Sequence, residues 1–140
     1  DLWALALHKF AGENAPNWAM PGRWFSQVFR GKLFHDDIGA VPHVAQEQAL
    51  GWILHYGVGI TYGVFWALIA GTAWLENPSF LPVWIFALVT IAAGWFLLQP
   101  GMGLGWAASK TDNPTKARVM GLIAHTWCGL GMWIAAVAVA

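Results

Sequence analysis

Residues 51–75 read GWILHYGVGITYGVFWALIAGTAWL, a run without one Asp, Glu, Lys or Arg. At about 1.5 Å of rise per residue, a helix of this length crosses a hydrocarbon core of roughly 30 Å. It has no polar face, so it is not a surface helix of a soluble protein. A helix also pairs every backbone group within its own segment, as lipid demands. Residues 119–140, VMGLIAHTWCGLGMWIAAVAVA, repeat the pattern, and residues 80–98, FLPVWIFALVTIAAGWFLL, are shorter but sufficient. The chain opens on DLWALALHKF, in mid-hydrophobic run and without Met. That opening is too short for a signal peptide and lacks a basic leading region, so residues 1–11 are expected to be the end of a first span truncated at its front. The expectation is all-α: one polytopic domain over 1–140, a four-helix transmembrane bundle with loops at 12–50 and 99–118.

Composition agrees. Of 140 residues, 58% are hydrophobic and 10% charged, against about 25% charged in soluble domains. Seven Lys and Arg balance seven Asp and Glu, leaving no basic excess for nucleic acid. The richness in aromatics and poverty in charge exclude disorder. The single cysteine, Cys128, excludes an internal disulfide framework. Of the 11 tryptophans, Trp52, Trp74, Trp84 and Trp106 fall near span ends, where interfacial belts form. Trp66, Trp95, Trp127 and Trp133 lie deeper and suit packing against neighbouring helices.

Charge sets the expected topology. Lys9, Arg23, Arg30 and Lys32 lie in or beside the first loop, and Lys110, Lys116 and Arg118 beside the third. The turn at 76–79 has no basic residue. By the positive-inside rule, the first and third loops are cytoplasmic and the C-terminus is on the outer side. Within the first loop, Trp24, Phe25, Val28 and Phe29 form one helical stripe, with Arg23, Gln27 and Arg30 opposite. This pattern predicts a short helix lying in the membrane interface.

Ionisable residues inside spans are functional candidates, since lipid exposure is costly. Asp1 is an intramembrane carboxylate, and His8, His55 and His125 fall on spans. His55 and His125 are expected at similar depths on parallel spans. His55, Gly59 and Gly63 recur every four residues, as do Gly121, His125 and Gly129, so each histidine shares a face with two glycines. One reading is close helix packing through Gly59, Gly63, Gly121 and Gly129, a small-xxx-small arrangement. The sharper reading is a cofactor: haem, a chlorophyll-type pigment or a metal held by His55 and His125, with Gly59 and Gly129 making room. His35, His43 and Glu47 extend this to a metal-site candidate with His55 and His125, because His43 and Glu47 share a helical face. No H-E-x-x-H or Cys ligand supports it. The stretch Gln99-Pro-Gly-Met-Gly-Leu-Gly-Trp106 follows a membrane helix and has no Lys-Ser/Thr pair, which excludes a phosphate loop. Its glycines are expected to end the third span, and Thr115 to cap the fourth.

The sequence resembles a family of small uncharacterised bacterial inner-membrane proteins with four helices, a domain of unknown function. The resemblance rests on Asp-Leu-Trp-Ala-Leu-Ala at 1–6, His35 with the Ile-Gly-Ala-Val-Pro that follows, and Leu50-Gly-Trp with His55-Tyr. It continues through Gln99-Pro-Gly-Met-Gly, Thr111-x-Asn-Pro and Ala124-His125. It implies a bacterial inner (cytoplasmic) membrane location and a front-truncated first span, and brings no activity. His8 departs from the pattern, which carries a basic residue such as Lys there.

Two functions follow as expectations. One is a non-enzymatic accessory or structural subunit that packs against a larger membrane complex or oligomer in the lipid bilayer, with room for a lipid, quinone or pigment. The other is a membrane enzyme or transporter-like protein whose histidine cluster on the cytoplasmic side binds a metal or haem.

Overall fold

Charge-free sequence forms long helices and the polar loops fold against their ends. The computed structural model describes residues 8–10, 12 and 17–140. Helix α1 spans Ala19–Val28, α2 Glu47–Glu76, α3 Phe80–Gly101 and α4 Pro114–Val139. Single 3-10 turns at Ile38–Ala40 and Trp106–Ala108 punctuate the loops. No strand occurs among the described residues. Helices α2, α3 and α4 are each long and apolar enough to cross a membrane. The expected first span, with Asp1, lies outside the described residues apart from 8–10, which are helical.

Local sequence explains the ends and irregularities. Asn113 caps α4, its side chain accepting from Lys116 N–H at 2.9 Å with Pro114 in the first turn. The cap is therefore Asn113 rather than the expected Thr115, since an Asn–Pro pair supplies both the acceptor and a preset φ. Helix α3 runs past Leu98 to Gly101 through a π-helical turn at Gly94–Leu98. Pro100 has no N–H for the carbonyl four residues back and its ring crowds that carbonyl; the widened turn before it accommodates both. In α2, Gly71 adopts φ 71° and ψ 179°, a conformation that breaks the helix. Beyond it Trp74 turns back edge-on to Trp66, with ring centroids 5.1 Å apart.

Helices α3 and α4 form a close pair. Val83, Ala87 and Ile91 of α3 are buried, as are Gly129 and Ala136 of α4. A methyl on Gly129 would sit 3.1 Å from Ala87 Cβ and from Trp84 Cα. Helix α2 meets this pair sparingly, through Tyr62 O–H donating to the Thr90 carbonyl at 3.4 Å and Trp66 against Phe86 at 5.1 Å. Its closest packing is with α1. There Gly22 faces α2 and Gly51 faces α1: a methyl on Gly22 would collide with the Glu47 carbonyl, and one on Gly51 with that of Trp18.

This crossing changes the reading of α1. Trp24 is buried with Ile38 and Met102 in a small core, and its indole N–H donates to Leu33 O at 2.8 Å. Arg23, assigned by the pattern to a solvated side, is 3% exposed. Phe29 remains exposed. Amphipathic spacing located the helix, but its neighbours decide which side is inside.

Candidate functional site at the charged end of the bundle

Gly22 brings the next residue, Arg23, against the first turn of α2, where Glu47 lies four residues before Gly51 and so on the same face. The Arg23 Nε and Nη2 donate to the two Glu47 carboxylate oxygens at 2.8 and 2.9 Å, a bidentate pair. Nη1 reaches the carbonyls of Ile38 at 3.2 Å, Gly39 at 3.3 Å and Val41 at 3.0 Å. Nη2 also lies 2.7 Å from His43 Nδ1, which is 2.9 Å from Glu47 Oε1. Glu47 further accepts from Val44 N–H at 3.2 Å. Arg23, His43 and Val44 together hold the Glu47 carboxyl down at about 2, and pairing with Glu47 raises the Arg23 guanidinium above its usual value. A carboxylate so held stays ionised at neutral pH and does not serve as a base. The cluster is a clamp that ties α1, the 38–41 turn and α2 into one unit.

A second unit joins the first loop to the glycine-rich stretch after α3. His35 N–H donates to Gly101 O at 3.0 Å and Ile38 N–H to Met102 O at 3.1 Å. His35 Nδ1 lies 3.1 Å from the same Gly101 carbonyl. A carbonyl only accepts, so Nδ1 carries the proton. His35 Nε2 is buried with no partner among the described residues. Gly103 lets the strands of loop lie together, since a methyl there would collide with the Asp36 carbonyl. Between them opens a cavity of about 350 Å³ whose walls include Lys32, His35, Asp36, Trp106 and Lys110.

The span histidines have separate partners. His125 Nδ1 donates to Ala87 O of α3 at 2.9 Å, with Thr90 Oγ1 3.1 Å away. Its face, including Gly121 and Gly129, is filled by Ile91, Trp95, Ala87 and Trp84 of α3. His55 stacks on Trp18 at 4.2 Å and neighbours Trp52 and Tyr56. A methyl on Gly59 or Gly63 would meet nothing within 4 Å among the described residues. The glycine faces expected to meet each other are therefore apart, because α4 uses its glycines on α3. The space those on α4 leave is lined by side chains of α3. Of the metal candidates, His43 and Glu47 come together, but with a guanidinium between them and the fold. His35 belongs to the glycine loop and His125 to the α3–α4 seam. No group of three His, Cys, Asp or Glu converges among the described residues.

Arg23 lies inside, where the amphipathic pattern puts it outside. The available signal was paired: a Gly–Arg step in one helix, and Glu47 with Gly51 one turn apart in another. With the geometry in hand, the chain can be placed as a helical, membrane-type protein with a folded polar end. It belongs to a family of proteins of unknown function, DUF2938, whose model matches residues 1–139. No curated protein and no solved structure matches it.

Proposed function

We propose that the chain is a non-enzymatic accessory subunit of a bacterial inner-membrane assembly, with four spans, its basic loops in the cytoplasm and its C-terminus outside. The observation that carries the reading is the state of α2. A methyl on Gly57, Gly59 or Gly63 would meet nothing within 4 Å among the described residues, and Ile53, Ile60 and Leu68 on the same helix are exposed there. A glycine inside a helix costs about 1 kcal/mol relative to alanine, and lipid gains nothing from it. A second helix does gain, because small residues allow backbones to approach where van der Waals contact drives association. The clamp at Arg23 fixes the root of α2 while its apolar length stays open to a partner.

A photo-crosslinking residue at position 59, activated in native membranes, tests this. The expected product is a covalent adduct with a different membrane polypeptide, identified by mass spectrometry. Adducts confined to lipid or to residues 1–11 of the same chain would reject the accessory reading.

A further inference from the structure

We infer that the cavity between the first loop and the glycine-rich stretch after α3 binds the phosphodiester headgroup of a membrane phospholipid. Lys32 and Lys110 stand on its walls and outweigh the single carboxylate of Asp36, so the site favours an anion. Its framework is built by backbone bonds: Leu104 N–H donates to Gln99 O and Lys110 N–H to Leu104 O, both at 2.9 Å. The wall thus keeps its shape without a ligand. His35, 7% exposed, also lines the cavity and holds one unpartnered ring nitrogen. With the proton on Nδ1 that nitrogen accepts, and a water held by the phosphate donates to it.

Two further features favour a lipid over a free ion. Trp106 lines the cavity and is largely exposed, and its ring lies 5.5 Å from Phe96, an exposed residue of α3. The rim is therefore continuous with the apolar surface of a span, where acyl chains lie. Asp36 gives the same cavity an acceptor for a donor group beyond the phosphate, such as the hydroxyls of phosphatidylglycerol or the ammonium of phosphatidylethanolamine. Phosphatidylcholine has no such donor. Basic pockets beside membrane helices hold headgroups by this chemistry. The inference rests on membrane insertion, not on the accessory role, and stands if no protein partner exists.

The purified full chain is placed in phosphatidylcholine nanodiscs doped with phosphatidylglycerol or phosphatidylethanolamine, then released and weighed by native mass spectrometry. Either donor-bearing lipid is expected to be retained about tenfold over phosphatidylcholine through Asp36, and each lysine to be worth about fivefold for any of the three lipids. Lys32→Gln with Lys110→Gln should lower retention of all three lipids about twenty-fivefold, while melting of the lipid-free protein in detergent stays unchanged. Lys110→Gln alone provides the same readout at half strength. Asp36→Ala should leave phosphate-dependent retention and erase the preference for donor-bearing headgroups. Equal retention of all three lipids, or retention indifferent to the lysines, overturns the proposal. Displacement of the lipid by millimolar inorganic phosphate would overturn the lipid assignment and make the cavity a free-phosphate site.

Discussion

At the charged end, Arg23, Trp24, Ile38 and Met102 are all nearly inaccessible. Along the spans, among the described residues α2 buries Gly51 and Trp66 alone, and α3 hides the face of Val83, Ala87 and Ile91. The charged end is built as a soluble protein is, with an apolar core and a fully satisfied ionic cluster above it. The spans are built for a solvent that is itself apolar. There, Gly129 is closed on Ala87, and single polar bonds join one helix to another element, such as Trp84 N–H to Thr126 Oγ1 at 3.2 Å and Trp133 N–H to Pro78 O at 3.1 Å. Water drives the first region together, and it contributes little between helices in lipid. Substitutions of similar size should therefore be felt very unequally in the two.

The largest effect is expected at the α1–α2 crossing. Gly51→Leu places a side chain where the Trp18 backbone lies, and no rotamer avoids a backbone. The loss should exceed the 1–3 kcal/mol usual for overpacking a core, and the charged end should detach from α2. Limited proteolysis of the purified protein reads this as new cleavage within residues 28–46. Gly59→Leu, in open space among the described residues, is the matched control and should leave the detergent-solubilised protein as stable as before. Equal damage from both would erase the contrast between the regions.

Next comes Arg23→Met, which leaves Glu47 without its counter-ion and three carbonyls without their donor. Arg23 is itself buried, so its removal leaves these acceptors unpaired and should destabilise the charged end more than the loss of a surface ion pair does. Acid should act through the same bond. Glu47 is held at about 2 when folded, against 4.5 as its ordinary value. A depressed carboxyl contributes stability that is complete above its unfolded value and is lost as pH falls through the folded one. Protection of the charged end against protease should be flat above pH 4.5 and fall between 4.5 and about 2. Glu47→Gln should be weaker at neutral pH and nearly flat across that window. An acid response in Glu47→Gln equal to the parent's would place the titrating group elsewhere.

Legibility divided along the same line. The spans could be read because exclusion of charge is a one-dimensional property: residues 51–75 fall inside Glu47–Glu76, and 119–140 overlaps Pro114–Val139. Residues 80–98 stopped short of Gly101 because the π turn carries the helix past Pro100. The clamp could not be read in the same way. Arg23 and Glu47 are 24 positions apart, and an arginine at the end of a polar stripe carries no mark of burial until its partner helix is known. His125 showed the intermediate case. Its glycine neighbours announced a close approach, which exists, but nothing local chose α3 over α2 as the helix that makes it.

The smallest effect should come from the polar seam inside the spans, at Thr90. Its hydroxyl donates to Ala87 O at 2.7 Å and lies 3.1 Å from His125 Nδ1. In an apolar interior a lost hydrogen bond looks expensive. Here the ring nitrogen keeps its bond to the Ala87 carbonyl at 2.9 Å, and that carbonyl keeps the ring N–H. Thr90→Val removes a donor and leaves no buried group unpaired, while valine fills the same volume. Hydrogen bonds between membrane helices average about 0.6 kcal/mol when tested by paired substitutions, and this one is partly redundant. Thermal unfolding in detergent should shift by about 1–3 °C. His125→Leu alone should cost more, since it leaves the Ala87 carbonyl to the Thr90 hydroxyl and forces a branched side chain beside the closed Gly129 contact. Its effect should shrink little in the Thr90→Val background. A double variant that loses much less stability than the sum of its parts would mean that Thr90 and His125 support each other as closely as Arg23 and Glu47 do, and the two halves of the molecule would then obey one rule.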